Sequence, residues 1–152
     1  MLIRRADTAD LDLVTSLRLD FIADVRRLER RSLEGSFAAA TRAFVTDGHE
    51  LGTVLSWLAE EDGAAAGIVS LVLHAVPPRP EEPRIKEGYV INMFVTPPFR
   101  RRGLGRDLLE RCRRDAEALA LRRLVLHFTE EGRPLYEQRG FITDDAWLQL
   151  PL

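Results

Sequence analysis

The sequence has 152 residues, 45% hydrophobic and 30% charged, with a formal net charge of −2. That is enough for one domain spanning residues 1–152, with roughly two-thirds of the surface buried and no need of staples. The single cysteine, Cys112, excludes an intrachain disulfide or cysteine metal cage; the acidic balance argues against a nucleic-acid partner; with no leader-like or membrane-spanning apolar run, a cytoplasmic protein without a membrane partner is expected.

Leu2 to Arg5 reads as a short strand. Asp7 then caps a helix carrying Leu11, Val14, Leu17, Arg18 and Phe21 at helical spacing. A charge-dense stretch from Asp24 to Ser32 leads to a second helix over Leu33 to Val45, which Asp47-Gly48 should end. Val54 to Ala59 and Gly67 to Ala75 read as a hairpin around Glu61-Asp62-Gly63. Four prolines make Val76 to Pro83 a loop. Tyr89 to Val95 is nearly continuously apolar, as in a strand buried on both faces.

An amphipathic helix is expected from Leu104 to Leu119, a buried strand over Leu124 to Phe128, and a short helix from Gly132 to Arg139 capped by Gly140. Phe141 to Thr143 and Ala146 to Leu150 read as a closing strand pair. The order β-α-α-β-β-β-α-β-α-β-β describes an α/β fold on a mixed sheet, and the unit from Tyr89 to Phe128 should be a right-handed parallel crossover.

Positive charge is uneven. Lys86 is the only lysine, while Arg100, Arg101, Arg102 and Arg106 crowd one short segment. They flank Gly103-Leu104-Gly105, between the end of a buried strand and the start of a helix. The first amides of a helix lack internal partners and carry the positive end of its dipole, so anions bind there. Glycines at 103 and 105 let a diphosphate approach the backbone, and arginines add charge-assisted hydrogen bonds. A solvated basic face is the competing reading, but cations beside a helix N-terminus oppose its dipole unless an anion comes. A dinucleotide turn would need glycine where Leu108 stands, and a P-loop would need Gly-Lys-Ser/Thr.

Arg100-x-x-Gly103-x-Gly105, following Val95-Thr96-Pro97, resembles the pyrophosphate-binding signature Gln/Arg-x-x-Gly-x-Gly/Ala of the GNAT superfamily of acyl-CoA-dependent N-acetyltransferases. Leu135-Tyr136-Glu137-Gln138-Arg139-Gly140-Phe141 is similar to the family's Leu-Tyr-Glu-x-x-Gly-Phe segment. The resemblance covers about residues 88 to 143; before that only the element order agrees. It implies that acetyl-CoA is the cosubstrate, with its diphosphate on Arg100 to Arg106, Leu104 included. The pantetheine arm would lie where the fourth and fifth strands splay, against the edge of Tyr89 to Val95, with a backbone N–H near Phe94 or Val95 polarising the thioester. Thr129 stands where the family often has asparagine touching that arm, and Gly132 where it often has alanine.

By the same resemblance Tyr136 is the general acid toward the leaving thiolate; the alternative is packing alone. The base is open: Glu87 is the nearest carboxylate to the strand, a water relayed to a distant carboxylate serves as well, and Glu87 also suits a solvated loop. Asn92 in an apolar strand is either a satisfied structural amide or a substrate contact. Cys112 falls on the apolar stripe of its helix and reads as a small hydrophobe rather than a nucleophile. His49, His74 and His127 show no metal-ligand spacing, His127 reads as a core histidine, and Trp57 and Trp147 read as packing.

The function expected is direct transfer of acetyl from acetyl-CoA to a primary amine, small or peptidic, in a ternary complex. The two N-terminal helices are expected to wall the acceptor site. The alternative is a CoA-binding regulatory or interaction module without turnover. Oligomeric state, a homodimer included, is not legible.

Overall fold

A computed structural model describes residues 1–144 and 149–151. Five strands form one sheet in chain order: β1 Leu2–Arg5, β2 Val54–Glu61, β3 Ala64–Ala75, β4 Lys86–Val95 and β5 Leu124–Val125. The first four are antiparallel neighbours, and β4 and β5 are parallel. Helices α1 (Leu11–Arg26) and α2 (Ser36–Glu50) connect β1 to β2, α3 (Leu104–Ala118) crosses from β4 to β5, and α4 (Arg133–Glu137) follows β5. The mixed α/β class is as expected.

Strand alternation divides the core into two layers. Val14 and Leu17 of α1 and Val45 of α2 pack with Leu58, Ile68 and Phe94 on one face. Leu104, Leu108, Cys112 and Ala116 of α3 pack with Trp57, Val69, Leu71 and Val90 on the other. A reciprocal cap starts the first helical segment: the Ala9 N–H donates to Asp7 Oδ1 and the Asp7 N–H to Asp10 Oδ2, each at 2.8 Å. Asp62 and Gly63 turn the β2–β3 hairpin with φ of 52° and 77°, the left-handed pair that suits strand twist.

Several boundaries differ from the sequence pattern. The second helix runs through Asp47-Gly48 to Glu50. Gly48 is not a stop; a Cβ there would collide with the Val54 side chain, so the glycine lets α2 approach β2. The strand read over Leu124 to Phe128 holds only Leu124–Val125, half-buried, and His127 and Phe128 are exposed. Phe141 to Thr143 have no strand pairing among the described residues. The expected return strand from Ala146, and Trp147, lie in part or whole outside the described residues.

Candidate active site

The central geometric fact is that β4 and β5 part company. They pair only at Gly88↔Leu124 and Tyr89↔Val125, whereas β3 follows β4 up to Gly67↔Val95. Past Tyr89, the β5-facing edge of β4 therefore has no strand partner among the described residues. Its N–H and C=O groups are available to an extended ligand.

The closed end of this wedge is clamped by charge. Glu87 is 1% exposed; its Oε1 accepts from Arg122 Nε and Arg123 Nε, both at 2.8 Å, and His74 Nε2 is 3.5 Å from Oε2. Backbone bonds from Gly88 N–H to Arg123 C=O (3.1 Å) and from Arg122 N–H to Lys86 C=O (2.8 Å) add to it. Burial pushes the Glu87 carboxyl up, but hydrogen bonds from Arg122 and Arg123 outweigh it and hold the group below the usual carboxylate range. This corrects the reading of Glu87 as a catalytic base or loop residue. A carboxylate committed to two guanidiniums is a poor proton acceptor; here it is the tie that joins β4 to β5.

At the open end, Pro97–Phe99 makes a 3₁₀ turn, and Arg101 (φ 65°) and Gly103 (φ 82°) are both left-handed before α3 begins at Leu104. No side chain caps α3, and the first backbone bond of the helix is from Asp107 N–H to Gly103 C=O (3.1 Å). The amides of Leu104, Gly105 and Arg106 thus have no partner within the helix, the arrangement that suits an anion. Glycine at 103 answers to φ. Glycine at 105 does not: its φ is ordinary, and a Cβ would make only 3.7 Å contacts with Leu135 Cδ2 and Val95 Cγ2. The fold does not need a glycine there, so the missing side chain leaves room for something outside the fold.

The arginines are not equivalent. Arg100 donates from Nε to Val95 C=O at 2.9 Å, pairs with Asp24 at 3.0 Å and lies over the Phe94 ring, bracing the turn against β4 and α1. Arg102 pairs with Glu61 and Arg106 with its neighbour Asp107. Arg101 has no ion-pair partner among the described residues. Of the four side chains, it is the one uncommitted at the turn.

Helix α4 is brought to the same place by Leu135, which touches the Gly105 position. Tyr136 is buried against Phe141, edge to face at 5.7 Å, and burial raises its phenol to about 12. Its hydroxyl makes no hydrogen bond to the described residues, and the ring lines the cavity flanking β5 together with Tyr89, His127 and Phe128. Thr129 is used locally: its Oγ1 and its carbonyl both accept from Gly132 N–H, at 3.2 and 2.9 Å, so it caps the entry to α4. Its hydroxyl oxygen accepts there, and its own O–H makes no hydrogen bond to the described residues.

On the face toward α1, the register shifts between Ile68 and Ser70, and Asn92 on β4 has φ of 54°. This bulge overrides strict alternation. Val90 faces α3, so Asn92 should too; instead it turns to the α1 side, and asparagine tolerates that left-handed backbone. Its carbonyl oxygen accepts from Arg18 Nη1 at 2.5 Å, and its NH₂ donates to Ser70 Oγ at 3.3 Å, which bonds Ser56 at 2.7 Å. The Asn92 amide is thus held by Arg18 at its oxygen and by Ser70 at its nitrogen, a structural role, with one lone pair and one N–H left over. Nearby, the Tyr89 hydroxyl lies 2.7 Å from His127 Nδ1. The sequence missed this pair because the run Leu124 to Phe128 looked like continuous core.

Cys112 is fully buried and burial raises its thiol to about 12, so no thiolate forms near neutral pH. Among the described residues no cluster of side chains could hold a metal, and no helix is long and apolar enough to cross a membrane.

Residues 21–141 match the model of the acetyltransferase (GNAT) family. A GCN5-related N-acetyltransferase from Ralstonia eutropha superposes with a TM-score of 0.85 at 28% identity, over 99% of this chain and 97% of that one. A predicted acetyltransferase from Clostridium acetobutylicum, solved with acetyl-CoA, gives 0.88 at 24% identity over 99% and 95%. An aminoglycoside N-acetyltransferase in complex with CoA gives 0.75 at 18% identity over 99% and 93%. Comparison with curated protein sequences returns no match.

The Glu87 tie yields a prediction. A carboxylate held below its usual range contributes stability that is present above that range and lost as pH falls through its folded value. Glu87→Gln should cost about 3 kcal/mol in urea unfolding at neutral pH and flatten the loss of stability in acid. A variant with wild-type stability and an unchanged acid limb would show that the pairing is incidental.

Proposed function

The chain belongs to the GNAT acetyltransferase family and is an acyl-CoA-dependent acetyltransferase, and we propose that it transfers acetyl directly to a primary amine in a ternary complex. The observation that carries the proposal is the convergence of three elements on one point: Gly105 of α3, Val95 of β4 and Leu135 of α4 meet within van der Waals reach.

Acetyl-CoA supplies an activated thioester. The amides of Leu104, Gly105 and Arg106, with Arg101, would hold its diphosphate, and the free edge of β4 toward Phe94 and Val95 would hold its arm. Support comes from the vacant side-chain position at 105 and the uncapped helix start. On the far side of β4, α1 contributes Arg18, and with Tyr89 and His127 bounds the space for the acceptor.

Tyr136 sits one residue beyond Leu135, with an unengaged hydroxyl. At a value of about 12 it keeps its proton at neutral pH. A thiol ionises near about 8.5, so the phenol is too weak an acid to surrender its proton fully to a thiolate. Its role is donation of a hydrogen bond to the sulfur as negative charge builds there, an electrostatic term specific to the transition state. The attacking amine must first lose a proton. His127, exposed and held by Tyr89, is the side chain on the acceptor side suited to take it, as Glu87 is not.

Gly105→Val should fill the vacant position and weaken acetyl-CoA binding at least about tenfold by calorimetry, about 1.4 kcal/mol or more, with little change in melting temperature. Equal affinity in the two proteins would remove the diphosphate from this turn. Tyr136→Phe preserves the packing and deletes only the hydroxyl. The expected loss is about 10²-fold in kcat with acetyl-CoA affinity retained; turnover within about threefold of wild type would leave the tyrosine a packing residue. His127→Gln should lower kcat/KM for the amine about 10²-fold, and an unaffected rate would return the proton to solvent.

A further inference from the structure

We propose that Arg18 receives a carboxylate carried by the acceptor, so that the enzyme's substrates are small amines bearing a carboxylate. This rests on the acceptor being bound on the α1 side of β4, as in the reading above. Arg18 lies on α1, half-buried against the sheet, and reaches β4 through a single hydrogen bond to the Asn92 side chain. A guanidinium has five N–H donors in a fork that matches a carboxylate, and among the described residues Asn92 takes only one of them.

Buried charges are normally paired, because desolvating an ion without a counter-charge is costly. This chain follows that rule elsewhere. Among the described residues, every other arginine that is not exposed has a carboxylate partner: Arg4, Arg30, Arg111, Arg113, Arg122 and Arg133. Each arginine without one is exposed, except Arg18. Other acids on α1 are committed: Asp12 to Arg42, Asp20 to Arg30 and Asp24 to Arg100. Burial pushes the Arg18 pKa down, and the nearby Tyr89 hydroxyl is what counters it.

The position is also specified. The bulge turns the Asn92 amide toward α1, and Ser70 fixes that amide from behind, so the fork is aimed by a relay through the sheet. Tyr89, which Arg18 senses electrostatically, lines the same cavity as His127 and Tyr136. An arginine without a counter-charge beside Tyr89 would attract an acceptor's carboxylate and repel polycationic amines.

The test uses the wild-type protein saturated with CoA and probes differing in charge: the common L-amino acids, their carboxamides, and spermidine. Calorimetry reads binding, and thiol release from acetyl-CoA reads turnover. At least one carboxylate should bind about tenfold or more tightly than its carboxamide. Arg18→Met should bring that pair to parity with acetyl-CoA affinity unchanged, and Arg18→Lys, which keeps charge without the fork, should retain part of the preference. The proposal is overturned if no carboxylate binds better than its carboxamide, if spermidine binds best, or if the preference survives Arg18→Met. Failure of acetyl transfer as such would be seen separately, as a wild-type protein that does not bind acetyl-CoA.

Discussion

A strand inside a sheet has two hydrogen-bonding edges, and β4 uses both only as far as Tyr89. Leaving a run of backbone polar groups open in the middle of a sheet is tolerable only if the two strands are fastened where they do meet. Here that fastening is Glu87 between Arg122 and Arg123, reinforced by backbone bonds on either side. Packing of α3 beneath β4 holds the strand at its other end. The wedge is thus a consequence of one buried charge cluster at its apex and one apolar layer under its arm.

The remainder of the site follows from where the open arm ends. At Val95 the chain must turn into α3, and it does so through Arg101 and Gly103, both left-handed, leaving the first amides of the helix facing outward. Arg100 ties that turn back to Val95 and α1. Helix α4 then lands against Gly105 through Leu135, which sets Tyr136 beside the wedge. On the opposite face the bulge at Asn92 hands a polar row, Ser56 to Ser70 to Asn92, across to Arg18. One strand therefore leads into the uncapped start of α3 at its end and carries the Arg18 relay on its α1 face, a different charge device at each place.

The turn into α3 and the short helix carrying Tyr136 stand where the sequence put them, because glycine and arginine at a helix start are hard to explain by packing and because the two motifs resemble one family at matching places. Glu87 was misread because the apolar run begins at Tyr89 while the strand begins at Lys86; nothing local shows that two arginines more than thirty positions away will close on it. His127 was misread for the converse reason: an apolar run suggested a full strand, but divergence from β4 ends β5 at Val125 and leaves His127 exposed. Asn92 did carry a signal, since asparagine is the residue that best accepts a left-handed backbone in an otherwise β-rich run. Arg18 carried only its helical spacing, and its lack of a counter-charge is a property of the assembled fold. Gly48 shows that a glycine after an acidic residue need not end a helix when a neighbouring strand requires the space.

The central claim is that one ligand lies along the open edge of β4 with its diphosphate on the first turn of α3. Amide chemical-shift mapping during titration with acetyl-CoA addresses it residue by residue. The largest shifts are expected at Gly103 to Arg106 and at Met93 to Val95, with the Tyr136 ring also perturbed and β1 and α2 unmoved. Shifts concentrated on β1 or α2, with the Gly103 to Arg106 amides unchanged at saturation, would contradict it.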